Sequence, residues 1–175
     1  MTPAEKVNKL AQQGKYTQLV DYVGVNANLF KALIDTYIGG PYRITQRLAG
    51  PLNHIAVMRP ALLKPHFRQL AAALEGPSAS TALKRNTIRL FQFVPIPTRR
   101  QGQILDIAFR FLQDKRESIA VKVFSMSVLE TLSADSPELS QELRIIIEDQ
   151  LPYSGPAFRS RATKILKRLS RSKLQ

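Results

Sequence analysis

The sequence predicts an all-α chain of stacked helix pairs, and three observations predict it. Apolar residues recur at i, i+4, i+7, i+8 and i+11, the spacing of one helix face. The whole pattern recurs at a step of 38 and then 37 residues, from Leu83 to Val121 to Phe158. No segment sustains the two-residue alternation of a strand: short apolar runs such as Ala120 to Phe124 sit inside longer helical periods. Repetition at this period marks architectures in which each helix pair buries its apolar face only against its neighbours.

The second helix of each pair carries the clearest copies: LKRNTIRLFQFV from Leu83, AVKVFSMSVLETL from Ala120 and AFRSRATKILKRL from Ala157. Superposing them aligns Leu83, Val121 and Phe158, then the small residues Thr87, Ser125 and Ala162. Leu90, Val128 and Ile165 follow, then Phe91, Leu129 and Leu166, then Val94, Leu132 and Leu169. A further step of 38 backwards gives a weaker copy at Arg47, Ala49, Leu52 and Ala56, interrupted by Gly50-Pro51. The first helix repeats too, with Phe30, Leu33, Ile34 and Tyr37 falling 37 residues before Phe67, Leu70, Ala71 and Leu74. Gly39 stands 37 before Gly76, where a left-handed residue closing each helix is expected.

Capping signals place the boundaries. Thr2-Pro3-Ala4-Glu5 reads as a capping box, and Ser136 as an N-cap before Pro137. Pro60, Pro97 and Pro137 suit first-turn positions, where proline forfeits no hydrogen bond. Helices are expected near 3–13, 16–24, 27–38, 42–57, 60–74, 80–94, 98–112, 117–133, 137–150 and 156–172. The helix around Val121 is apolar nearly all round (Ile119, Val123, Phe124, Met126, Val128), as a helix with neighbours on both sides should be. The last is apolar on one stripe, with Arg159, Lys164, Lys167, Arg168 and Arg171 elsewhere, which suits a capping helix over 155–173.

A helix pair of this length, whose second helix opens apolar-basic (Leu83-Lys84, Val121-Lys122, Phe158-Arg159) with a small residue four positions after the apolar one, resembles HEAT repeats. The likeness runs from about Asn26 to Leu169, and 1–25 read as divergent N-terminal helices. The stretches KRNTIRLFQFVPIP, AVKVFSMSVLETL and FRSRATKIL are similar to a group of short bacterial HEAT-like proteins. The resemblance to HEAT and armadillo-type chains implies a right-handed α-α superhelix, a solenoid of about four to five helix pairs filling 1–175 as one domain. It also implies a scaffold role.

Composition agrees with a folded protein: 44% hydrophobic and 22% charged residues are ordinary for a chain with a packed core. Without cysteine there is no disulfide or thiolate chemistry. The opening MTPAEKVNKL lacks the apolar core of a secretory signal, and no stretch reaches the ~20 apolar residues of a membrane span. A cytoplasmic protein without membrane contact is expected. The net charge of +13 is the outlier, and it is unevenly placed. From Thr36 to Leu105 ten bases face one acid, Glu75; from Asp106 to Asp149 nine acids face five bases; beyond Asp149 come seven bases and no acid. Such a surface either solvates helix faces or attracts polyanions.

Catalytic constellations are missing from the residue pattern. His54 and His66 are the only histidines, twelve positions apart and outside any His-x-x-x-His spacing, so neither a metal nor a cofactor is expected. Gly39-Gly40 and Gly76-Pro77 are helix ends rather than phosphate loops, and the adjacent Glu148-Asp149 point about 100° apart on a helix. Lyases of the fumarase/adenylosuccinate type share a Gly-Ser-Ser-rich loop and a Met-Pro-x-Lys motif, neither of which occurs here. HEAT-like alkyl-purine DNA glycosylases are a closer architectural likeness, yet they use tryptophan-lined clefts and this chain has no tryptophan.

Two groups of cations remain. Lys84, Lys122 and Arg159 occupy one equivalent position in three successive second helices. Their structural reading is a stacking ladder in which each pairs with an acid or carbonyl of a neighbouring turn, Glu75, Asp114 and Asp149 being at hand; their functional reading is a basic strip. Arg85, Arg89, Arg99, Arg100 and Arg161 have no equivalent acids and are the candidate contacts to an anionic partner. The expected function is a non-enzymatic module binding an acidic protein or peptide. The alternative is sequence-independent nucleic-acid binding through phosphates, with glycosylase-like DNA repair third.

Overall fold

The structure, a computed structural model, describes residues 1–172, with side chains through Arg171. Every regular element among them is a helix, giving the all-α, HEAT-like repeat fold that the periodicity predicts. The chain divides into two compact units, Met1–Arg100 and the residues from Gln101 onward.

In the first unit α1 (Pro3–Gln12) opens on Thr2, whose hydroxyl accepts from the Glu5 N–H at 3.2 Å while the Glu5 carboxylate accepts from the Thr2 N–H at 2.7 Å. The helices α2 (Tyr16–Val23), α3 (Ala27–Gly39) and α4 (Tyr42–Met58) follow, α3 being capped by Asn26. Next come α5 (Pro60–Leu63), α6 (Phe67–Glu75) and α7 (Thr81–Phe91), the last capped by Ser80. α1 packs on α3 and α4, α3 on α4, and α4 on α7. Phe30, Leu33, Ile34 and Tyr37 are buried, as are their repeat equivalents Phe67, Leu70, Ala71 and Leu74. The Phe67 ring stacks on Phe91 with centroids 5.3 Å apart, joining the two helices of one pair. Arg47 of α4 reaches the exposed C-terminal carbonyls of α1, donating to Ala11 O at 3.2 Å and Gln12 O at 2.5 Å. A cation there complements the negative end of the helix.

Two local expectations are corrected. The helix expected over 60–74 is broken: a 3-10 turn at Lys64–His66 separates α5 from α6. Pro65 has no N–H to give to the carbonyl four residues back, so the α ladder cannot run through it. Nor do Gly39 and Gly76 adopt the left-handed conformation. Gly39 is the last helical residue, and Gly40 (φ −77°, ψ 159°) and Gly76 (φ −65°, ψ 144°) are extended. Each extended glycine precedes a proline, Pro41 or Pro77, which disfavours the helical region for the residue before it. Glycine is needed at position 40 for space, since a Cβ there would lie 2.5 Å from Thr36 O. The left-handed glycines are Gly14 (φ 67°) and Gly24 (φ 53°).

The second unit holds most of α8 (Thr98–Gln113), then α9 (Ile119–Leu132), α10 (Pro137–Gln150) and α11 (Pro156–Ser172). Pro97 stands just outside α8, where its carbonyl accepts from the Arg100 N–H at 2.7 Å. Ser118 caps α9 and Ser136 caps α10. α9 packs on α10 and α11, with Val121, Ser125, Val128 and Leu129 buried on one side and Phe158, Ala162, Ile165 and Leu169 on the other. Leu132 and Leu166 are half-buried, and Ile119, at the start of the most apolar helix, is 48% exposed. The expected capping helix over 155–173 is α11 as far as Ser172; Lys173 lies outside the described residues.

Candidate functional site

The candidate arginines fall into two groups. Arg85 and Arg89 stand one turn apart on α7, and Arg99 and Arg100 form the first turn of α8; all four belong to the first unit. Arg89 and Arg99 are exposed, Arg85 and Arg100 half-buried. Among the described residues none of the four makes a side-chain hydrogen bond or an ion pair. Cations in the first turn of α8, which holds no acid, oppose the helix dipole instead of complementing it. Their charge and the helix N-terminus therefore raise the local positive potential together.

Beneath Arg85 lies the buried Tyr37, whose hydroxyl shares a hydrogen bond with Thr87 Oγ1 at 2.9 Å. Burial pushes this phenol well above its ordinary range, outweighing the opposing pull of the Thr87 bond and the Arg85 charge. Tyr37 is thus a neutral anchor between α3 and α7, and its polar tip fixes the helix that presents Arg85 and Arg89.

Arg161 does not join this group. It lies on α11, in the second unit, and donates to the Ser127 hydroxyl of α9. Two turns further on, Arg168 makes a two-pronged ion pair with Glu130 of α9, its Nη2 2.8 Å from Oε2. Both contacts tie α9 to α11.

The repeat-equivalent cations are placed differently from one another. The Lys122 ammonium, on a side chain that is largely buried, donates to Gln150 Oε1 at 3.1 Å. Burial lowers its pKa, with the charges of Asp114 and Glu117 acting in the opposite direction. Gln150 in turn donates to Leu112 O at 2.9 Å, closing the end of α8. Arg159 is exposed at its own position and donates to Pro152 O at 3.1 Å. Lys84 is half-buried on α7.

Lys64 is the residue that sequence reasoning missed. It lines a cleft of about 700 Å³ in the first unit, with Pro60 and Ala61 on its own side. The opposite side is Pro95, Ile96 and Pro97, continuing into Thr98 and Arg99. The available signal was the spacing of Pro60 and Pro97, 37 residues apart, which brings two helix starts near repeat-equivalent positions. Lys64 directly follows the first helix, and Arg99 lies in the first turn of the second.

The histidines hold packing positions. His54 is exposed and meets the Tyr16 ring edge-on at 6.2 Å. His66 packs on Phe30, centroids 5.7 Å apart. Among the described residues no three of His, Cys, Asp or Glu come together as a metal site, and no helix is long and apolar enough to cross a membrane.

Comparison with known proteins agrees with this architecture. No curated protein and no solved structure matches the chain. The HEAT repeat domain family matches residues 4–169, a span that takes in nearly all of both units and every repeat-equivalent position named above. The chain belongs to the HEAT repeat domain family.

Proposed function

We propose that the protein is a non-enzymatic interaction module whose basic first unit binds an acidic protein or peptide. HEAT repeats generally serve as protein-interaction scaffolds, and the family is typically non-enzymatic. The observation that carries the acidic partner is the group Arg85, Arg89, Arg99 and Arg100: four cations whose side chains make no hydrogen bond or ion pair among the described residues, in a segment where ten bases face one acid. Cations that are spent on structure, as Arg161 and Arg168 are, would not favour a partner in this way. The same charge favours a second reading, nucleic-acid binding through phosphates.

Salt dependence separates the two. Changing Arg85, Arg89, Arg99 and Arg100 together to Ser should abolish binding of a polyglutamate probe while leaving helicity intact. Duplex DNA should bind the wild type no more tightly than that probe. If DNA binds more tightly, with a log–log salt slope of about −4 to −5 as ~5 neutralised phosphates require, the acidic-partner reading is wrong.

A further inference from the structure

We infer that the cleft at Lys64 and Arg99 is a docking groove for an extended acidic peptide. It takes a carboxylate side chain on the two cations and a neighbouring apolar side chain on the proline walls. The inference rests on the acidic-partner reading and assigns that reading a place.

Volume, lining and charge carry it. At about 700 Å³ the cleft falls within the roughly 300–1,000 Å³ of sites that bury a drug-sized ligand. That space suits a few residues of extended chain and is far too large for a lone phosphate or acetate. Pro60, Pro95 and Pro97 form much of the wall; their φ angles are locked, so the groove is preformed and little ordering entropy is lost on binding. Their rings, with the Ala61 and Ile96 side chains, offer an apolar surface, and the cations at the rim supply the charged attraction.

Both titratable residues of the lining, Lys64 and Arg99, are cations, and no acid lines the cleft. A carboxylate entering it meets two charge-assisted donors, both exposed and free to turn towards it. Nucleic acid fits less well: no aromatic ring lines the cleft to stack a base, and the exposed Phe93 is not part of it. A purely apolar occupant would make no use of the two cations at the rim.

The test uses the full chain and a short fluorescein-labelled peptide in which Glu alternates with Leu, read by anisotropy. One control peptide has Gln for every Glu, and another has Ser for every Leu. The variants are Lys64→Gln with Arg99→Gln, which removes the cleft cations, and Ala61→Tyr, which fills the cleft from an exposed helix position. Arg43→Ser with Arg68→Ser removes two exposed charges elsewhere in the same unit. Melting curves establish that each variant is folded.

Loss of a charge-assisted contact should weaken binding by about tenfold in the Lys64/Arg99 variant. Ala61→Tyr and both control peptides should lose a similar factor, while the Arg43/Arg68 variant should stay within about twofold, as expected of remote surface charge. Unchanged binding by the two cleft variants overturns the groove and leaves the acidic-partner reading standing. Equal affinity for the Gln peptide overturns the carboxylate requirement. No binding of the acidic peptide by the wild type, with polyglutamate still bound, overturns the groove alone; loss of both overturns groove and reading together.

Discussion

Thr87, Ser125 and Ala162 share one register and differ in what they ask of the core around them. Each is fully buried. Thr87 satisfies its hydroxyl on Tyr37, and Ala162 has none to satisfy. The Ser125 hydroxyl is buried with no hydrogen-bond partner among the described residues. An unpaired hydroxyl in an apolar interior carries its full desolvation penalty, so Ser125→Ala should raise stability by ~1 kcal/mol. Urea denaturation of the full chain measures it, and a loss of stability would mean that the hydroxyl is bonded in solution. The smallness of these three positions was legible, because it repeats with the helix period. The Tyr37 bond was not, because its partners lie 50 positions apart and nothing in the repeat ties a first-helix tyrosine to a second-helix threonine. Arg161 was misleading for a related reason: a lack of equivalent acids does not reveal a serine on the neighbouring helix.

Between α3 and α6 the outer surface carries a polar chain that makes stability depend on pH. Lys31 pairs with Asp35 at 2.6 Å, and Gln69 donates to the same carboxylate at 2.8 Å. His66, just before α6, packs on Phe30 and hydrogen-bonds Gln69. Burial lowers the His66 pKa, against the raising influence of Gln69 and Asp35; Lys31 adds to the lowering. The native state therefore takes up this proton less readily than the unfolded chain does. The stability it contributes is complete above the ordinary histidine value and declines as pH falls through that value towards the lower folded one. Asp35 acts in a more acidic range: burial would raise its pKa, but the hydrogen bonds from Gln69 and Lys31 hold it below the ordinary carboxylate value. Between about pH 7.5 and 5.5 the wild type should lose urea resistance, and His66→Gln should lose less, since of these four residues only His66 titrates there. Identical slopes for both proteins would remove His66 as the cause. This geometry depends on the Lys64–His66 turn, and Pro65 was the visible sign of it. Helical periodicity over 60–74 masked that sign, because the apolar spacing of Leu63, Phe67, Leu70 and Leu74 survives the break.

Across the whole molecule, the repeat was easy to read and the surface was not. Buried positions recur because every pair must cover the same kind of face, whereas a cleft such as that at Lys64 depends on which proline-flanked turns approach one another. The repeat logic makes its strongest demand at α11. Phe158, Ile165 and Leu169 are buried against α9 and α10, and Ala162 completes the stripe. Burying each large side chain contributes roughly 1.5–3 kcal/mol, so together they approach the ~5–15 kcal/mol that holds a whole domain folded. The Arg168–Glu130 pair adds less to this, because its arginine is largely exposed. Truncation after Tyr153 removes the stripe and uncovers Val121, Val128 and Leu129, an apolar surface of the kind that seeks another copy or aggregates. The truncated chain should therefore melt well below the full one and elute as an oligomer or aggregate in size-exclusion chromatography with light scattering. Replacing only Lys164, Lys167 and Arg171 by Ser, on the exposed face of the same helix, should leave melting within about 0.5 kcal/mol of wild type. A truncated chain that stays monomeric with unchanged melting would show that α9 does not need this cover, and the stacking account of the second unit would fail.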